Sequence, residues 1–200
     1  MLRSNRKSTP RVIKGRVQKK NNWSLSPDYY AAPQPRMVVI DRKRPGEGFK
    51  HFLAKSDIYR FLELLPDWDS LAVGLNAIVL DAGDEGLHGW HRSGVVAVCA
   101  WETELWQEFN ARFYEEHCDI FERLGVQTEL IEEYYTCKFE PNQIRAFQLL
   151  HILLHELGHH HDQMTTRSGK QASRGESYAE AYARQYEQKI WENYLRAFPL

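Results

Sequence analysis

The chain has 200 residues, of which 42% are hydrophobic and 12% aromatic, and its formal net charge is −1 at pH 7. This composition is sufficient for the core of one globular domain and excludes a chain that is disordered throughout. No apolar run approaches the ~20 residues of a membrane-spanning helix, so we expect neither a membrane span nor a membrane partner.

The N-terminus is basic but is not followed by an apolar segment, so we expect no secretory signal. The three cysteines, Cys99, Cys118 and Cys137, are odd in number and lack C-x-x-C spacing. They are typical of reduced, mostly buried thiols, which predicts a cytoplasmic location.

Positive charge is concentrated at the start of the chain. Eight Lys or Arg side chains lie within the first 20 residues, and no acidic residue precedes Asp28. We therefore predict a basic tail without stable structure over residues 1–35 and one domain over residues 36–200. A solvated tail is the more common outcome of such a composition. The alternative is a nucleic-acid partner bound by this charge, which no aromatic interleaving supports.

Apolar patterns in the first half of the domain predict strands and one helix. Met37–Ile40 predicts a short strand, and Ser56 is expected to begin a helix through Leu65, before Pro66. The runs Leu71–Leu80 and Val95–Trp101 predict two further strands, joined as a hairpin by the polar loop Asp81–His91.

The second half predicts two long helices after one more strand. Thr103 is expected to cap a helix that ends at Leu124, before Gly125. Val126–Phe139 predicts a third core strand, and Pro141 then begins a helix at its first turn. A final helix is expected to run to about Ala197. This order predicts a small α+β domain with a mixed or antiparallel sheet.

The helix that begins at Pro141 carries an H-E-x-x-H motif at residues 155–159. On a helix, His155 and His159 lie one turn apart on one face, where two imidazoles can bind one zinc ion. Glu156 then lies beside the metal, where it can accept a proton from water. The run around the motif is apolar on nearly all sides, which predicts a buried helix. Gly158 inside this helix costs about 1 kcal/mol relative to Ala, which suggests that another element packs closely there.

A second motif, E-x-x-A-E-x-x-A, begins the final helix at Glu176. Together the two motifs resemble those of gluzincin zinc metallopeptidases, whose second motif is E-x-x-A/S-D/N-x-x-A. The resemblance covers residues 151–186. It implies that Glu176 is the third zinc ligand and that Glu180 orients a zinc-bound histidine from outside. Glu180 replaces the shorter Asp or Asn of the family, which leaves open which carboxylate touches the metal. Ala179 and Ala183 keep this helix face thin.

Several nearby residues have a second interpretation. Ser173-x-x-Glu176 is also a capping box, in which Glu176 would only cap the helix. His151 precedes His155 by one turn and is expected to pack or to support a ligand. Residues 160–162 are expected to form a polar helix end, where histidines interact favourably with the helix dipole. Asp162 is the alternative acidic ligand.

The resemblance implies a zinc-dependent peptidase acting on a peptide or protein. Glu156 would take a proton from water and pass it to the leaving amine. Tyr178, Tyr182 and His91 are the candidates for stabilising the oxyanion. In the family an edge strand binds the peptide by strand addition, and we expect Val95–Trp101 to fill this role. The alternatives are a metal-binding regulatory module of the same fold without turnover, and a nucleic-acid-associated protein led by the tail.

The composition of the basic tail leads to a first prediction. Because the tail has almost no apolar surface to bury, a chain that lacks residues 1–27 is expected to unfold at nearly the same temperature as the full chain. The midpoint, measured by circular dichroism, should change by no more than the few degrees that about 1 kcal/mol produces. A larger drop would show that the tail contributes to the folded domain.

Overall fold

The computed structural model describes residues 25–31, 37–166 and 174–200, and the backbone of two short paired strands, Val12–Ile13 and Arg16–Val17. Most of the predicted tail (residues 1–35) and the capping residue Ser173 lie outside the described residues. No helix of the described residues is long and apolar enough to cross a membrane.

The described elements are groups of short strands separated by helices. The strands are β1 (Val12–Ile13), β2 (Arg16–Val17), β3 (Val39–Arg42), β4 (Phe49–Lys50), β5 (Ala77–Asp81), β6 (Gly89–Arg92), β7 (Val95–Cys99), β8 (Trp101–Glu102), β9 (Trp106–Asn110), β10 (Gln127–Ile131) and β11 (Tyr134–Lys138). The helices are α1 (Lys55–Leu62), α2 (Trp68–Leu71), α3 (Ala111–Leu124), α4 (Pro141–Phe147), a π-helical segment (Gln148–Leu153), α5 (Leu154–Thr165) and α6 (Glu176–Ala197).

The main sheet has four strands in the order β3-β5-β7-β6. Strands β3, β5 and β7 are parallel, and β6 lies at the edge, antiparallel to β7. One face of the sheet packs on the helices in the main core, and the other is covered by Tyr29, Val39 and Trp90. Burial on both faces explains why β5 and β7 are apolar without alternation. A second, antiparallel sheet has the order β10-β11-β9. The predicted α+β class with a mixed sheet is confirmed.

The strand predicted as the peptide-binding edge, Val95–Trp101, is instead interior. Its core, β7, lies between β5 and β6, and it is parallel to β5 rather than paired with it in a hairpin. The hairpin partner is β6, which lies in and just beyond the stretch predicted as a loop. A two-residue turn joins them, with Ser93 at φ 46° and Gly94 at φ 80°. Two left-handed residues make the tight turn that matches strand twist, but Ser-Gly is a weaker signal for it than Asn-Gly.

Two other predicted elements are divided in the structure. The predicted helix Thr103–Leu124 contains a strand, β9, and α3 begins only after Asn110, whose side chain accepts a hydrogen bond from the backbone N of Phe113 at 2.9 Å. The predicted strand Val126–Phe139 is the hairpin β10–β11, which turns at Glu132 with φ 56°. Its residues alternate poorly because β10 is exposed throughout.

Smaller boundaries also differ. Helix α1 begins at Lys55 after Ala54 and ends at Leu62, and the predicted strand from Leu71 begins only at Ala77. The helix stop predicted at Gly125 and the helix start predicted at Pro141 are both confirmed. Gly125 forms a left-handed cap with φ 71°. Cys99 and Cys137 are buried and Cys118 is partly buried, and all three are free thiols.

The contact between α5 and α6 accounts for the glycine inside the motif helix. A Cβ atom on Gly158 would lie 2.9 Å from Cα and 3.1 Å from the carbonyl oxygen of Ala179, and 3.1 Å from Cβ of Tyr182. Ala179 and Ala183 are fully buried on the facing side of α6. The close approach predicted at Gly158 is therefore present, and small side chains on both helices permit it.

Gly158→Ala is expected to destabilise the protein, although Ala is the better helix former by about 1 kcal/mol. The added methyl group meets backbone atoms that cannot rotate away, so we expect a net loss of about 1–3 kcal/mol in the free energy of unfolding, measured with urea. Ala181→Gly, at an exposed position of α6, is the control for helix propensity alone. A gain in stability for Gly158→Ala would contradict the close packing.

Candidate metal centre

The two sequence motifs meet in one cleft of about 1070 Å³. His155, Glu156 and His159 enter it from α5, and Glu176 and Glu180 enter it from the first turns of α6. The helix supplies the spacing within each motif, and the α5–α6 contact brings the two motifs together.

Three donor atoms form a small triangle at this junction. The Nε2 atoms of His155 and His159 are 3.1 Å apart. Oε2 of Glu176 lies 3.1 Å from Nε2 of His155 and 3.4 Å from Nε2 of His159. The side chain of Glu176 is 82% exposed, so the triangle opens towards solvent.

This triangle fits a zinc ion. Nitrogen and oxygen ligands at ~2.0–2.2 Å in a tetrahedral arrangement lie about 3.3–3.6 Å from one another. The observed separations of 3.1–3.4 Å need only a slight expansion to reach that geometry. Two imidazoles and one carboxylate also form a donor set that catalytic zinc sites use, with a fourth position open. Zinc binding by these residues remains a prediction.

Glu180 lies behind this triangle and contacts His155 rather than the triangle itself. Its Oε2 lies 3.2 Å from Nδ1 of His155, while Nε2 of His155 points to Glu176. Although burial opposes its charge, the hydrogen bond with His155 and the nearby His151 and His117 lower the pKa of Glu180 to about 2. A charged carboxylate on the far nitrogen fixes the ring orientation that a metal ligand needs. In this geometry Glu176 is the acidic donor and Glu180 the supporting partner.

Each ring nitrogen of His155 faces a carboxylate. Burial opposes protonation of this ring, but the hydrogen bond to Glu180 and the charges of Glu156, Glu180 and Glu176 raise its pKa. With a proton on each ring nitrogen, His155 would donate to both carboxylates. Zinc would have to displace a proton from this ring, as metal ligands generally require.

Glu156 is 7% exposed and lies on the cleft wall beneath β6. Burial raises its pKa to about 7; the charge of His155 opposes this shift and that of Glu176 adds to it. A Cβ atom on Gly89 would lie 2.9 Å from Oε1 of Glu156, so only glycine at that position of β6 leaves room for the carboxylate. This role of Gly89 was not predicted, because a single glycine beside a histidine carries no pattern.

Asp162, the alternative acidic ligand, does not reach the cleft. Its side chain is fully buried, and Oδ2 accepts hydrogen bonds from the backbone N of Arg174 at 2.7 Å and of Gly175 at 3.2 Å. These bonds hold the chain immediately before Glu176. Asp162 is therefore not the alternative ligand, because its Oδ2 atom is hydrogen-bonded to the backbone that precedes α6.

Contrary to expectation, the polar residues 160–162 lie inside α5 and not at its end. Helix α5 continues to Thr165, and each histidine contacts a different element. His160 hydrogen-bonds through Nε2 to the carbonyl oxygen of Val73 at 3.0 Å, and Nδ1 of His161 lies 2.7 Å from the hydroxyl of Tyr178. The helix dipole therefore does not explain the presence of these two histidines.

Of the three candidates for oxyanion stabilisation, only His91 lines the cleft. Its ring stacks on that of His159 at 6.5 Å with an interplanar angle of 10°. Its buried Nε2 has no hydrogen-bond partner among the described residues. Burial, with the neighbouring His160 and His159, lowers the pKa of His91 to about 4. Tyr178 and Tyr182 instead pack against His161 outside the cleft.

Comparison with protein-family models, with curated proteins and with solved structures finds no match for the chain. No family is identified. The assignment of the site therefore depends on the geometry of its side chains.

Removing single carboxylates should separate the ligand from its supporting partner. Glu180→Gln is expected to weaken zinc binding by 10–100-fold, the usual effect of losing a ligand's outer partner. Glu176→Gln should weaken it further, because it removes a charged ligand. Zinc affinity can be measured by competition with a chromophoric chelator, with His161→Gln as the control on the same helix. Equal affinity of Glu176→Gln and wild type would contradict the assignment.

Proposed function

We propose that the protein is a zinc-dependent peptidase of the gluzincin type, which hydrolyses a peptide or protein substrate. The observation that carries this proposal is the triangle of His155, His159 and Glu176 donor atoms, 3.1–3.4 Å apart, in a cleft that Glu156 also lines. A metal site that only stabilises a fold is normally closed by four protein ligands. Here three donors face an open cleft.

A zinc ion at this position would polarise a substrate carbonyl and make a bound water acidic. Glu156 would take the proton from the attacking water and deliver it to the leaving amine. Its burial supports this role, because a carboxylate in an apolar wall holds a proton more readily than one in water. The second carboxylate, on Glu176, is proposed as a ligand, so the two acids have different roles.

His91 is the side chain proposed to stabilise the oxyanion. A neutral imidazole can donate one N–H, and the buried Nε2 of His91 has no hydrogen-bond partner among the described residues. The His91 ring stacks on that of His159, a proposed metal ligand, with 6.5 Å between the ring centroids. A donor that is fixed before the reaction stabilises developing charge most effectively.

The peptide is proposed to bind along β6. This strand is the edge of the main sheet, and residues from Gly89 to Arg92 line the cleft. An extended substrate can add to such an edge through main-chain hydrogen bonds, with its scissile bond facing α5. Strand β7, which was expected to fill this role, is paired with β5 along one edge and with β6 along the other.

Glu156→Gln is the decisive variant. Gln keeps the shape of the side chain but cannot accept the proton, so peptide hydrolysis is expected to fall at least about 10²-fold while zinc affinity stays nearly unchanged. Activity would be measured on a library of quenched fluorescent peptides with zinc-loaded protein. Gln163→Glu, at a position further along α5 that also lines the cleft, controls for a change of charge.

Two results would contradict this mechanism. Equal hydrolysis by wild type and Glu156→Gln would remove Glu156 as the base. No hydrolysis by zinc-loaded wild type across the library would favour a metal-binding regulatory module without turnover.

A further inference from the structure

A second group of metal-ligating side chains lies in the same cleft, behind the first. It consists of His117 from α3, His151 from the π-helical segment and Glu180 from α6. One donor atom from each lies within 4.8 Å of the others. Nε2 of His151 is 3.6 Å from Oε2 of Glu180, and the rings of His117 and His151 are 4.4 Å apart between centroids. Both histidines are buried, at 7% and 3% exposure.

The hydrogen bond made by His117 leaves its second ring nitrogen available to a metal ion. Nδ1 of His117 donates to the carbonyl oxygen of Phe113 at 2.6 Å, and in a neutral ring the remaining nitrogen is then an acceptor. Oε2 of Glu180 is an acceptor as well. One ring nitrogen of each histidine and one carboxylate oxygen of Glu180 lie close enough together for a single cation to contact all three.

We propose that His117, His151 and Glu180 form a second zinc site, adjacent to the one formed by His155, His159 and Glu176. Two imidazoles and a carboxylate suit zinc in this site as in the first. The bond from His117 to a backbone carbonyl is the outer contact that metal-bound histidines usually make. Oε2 of Glu180 has two lone pairs, so it can bind the second ion and keep its contact with Nδ1 of His155.

The backbone provides an independent observation. The helix of the H-E-x-x-H motif changes to π-helical geometry over Gln148–Leu153, and His151 lies within that segment. Such segments are rare, cost regular hydrogen bonding and occur often at functional sites. His151 therefore lies in the wider turn, one helical turn before His155.

The second site should bind zinc more weakly than the first. Nε of Arg184 lies 3.2 Å from Oε1 of Glu180, so a cation already neutralises part of the carboxylate and repels a second one. When bound, the ion would connect α3 to the motif helix and to α6. It would therefore raise the unfolding temperature, because ligands that bind only the folded state stabilise it.

The test counts zinc ions by native mass spectrometry after the protein is equilibrated with excess zinc. Wild type is expected to hold two ions, and a chelator titration should remove them in two steps. His117→Phe should hold one ion and lose the weaker step, and zinc should raise its unfolding temperature less than that of wild type. Phe suits this position because His117 stacks on Phe113 at 4.0 Å, so the aromatic packing is kept.

Two matched variants identify the source of each ion. His159→Gln should lose only the tighter step. His88→Phe alters a histidine in the same aromatic group, 5.7 Å from Phe113, that belongs to neither donor set, and should keep both ions. If His117→Phe does not fold, His151→Gln takes its place.

A single ion on wild type at saturating zinc, lost in His159→Gln, overturns the second site and leaves the proposed function intact. Two ions on His117→Phe also overturn it. A single ion that is lost in His117→Phe and kept in His159→Gln supports the second site and contradicts the peptidase site. No bound zinc at all contradicts both.

Discussion

The close packing of α5 on α6 is the constraint on which the rest of the site depends. His155 and Glu176 are 21 positions apart in sequence, and their side chains meet only because the two helix backbones approach at Gly158 and Ala179. A larger side chain at either position would separate the helices. A carboxylate side chain is too short to compensate for much separation, so the donor triangle would open.

A second condition is that the charges in the cleft are paired. Burying an unpaired charge is costly, and α5 and α6 bring several ionisable groups together. His155 contacts carboxylates through both ring nitrogens, and Glu180 is shared among His155, His151 and Arg184. The same carboxylates that raise the pKa of His155 also present donor atoms that a metal requires. Metal binding and protonation therefore compete for one ring.

Much of the helical part of the fold was predictable from sequence. The start of the motif helix at Pro141, the helix stop at Gly125 and the close approach at Gly158 follow from local rules of backbone geometry, and the structure contains all three. The strands were less predictable. β6 has only four residues and no alternation, and its partner was decided by a two-residue turn at Ser93 and Gly94, where serine adopts an unusual left-handed conformation. Strand β9 was hidden because its residues continue a pattern that also suits a helix.

The sequence by itself determined which residues share a face within each motif, since helix periodicity fixes the spacing of His155 and His159 and of Glu176 and Glu180. It left open which acid meets the histidines. Only the tertiary structure decided that Asp162 holds the backbone before α6 while Glu176 faces Nε2 of His155. It also decided that His91 and His117, from distant elements, enter the same cleft. The physical reason is that periodicity acts over one or two turns of a helix, whereas contacts between elements depend on how closely their backbones can pack.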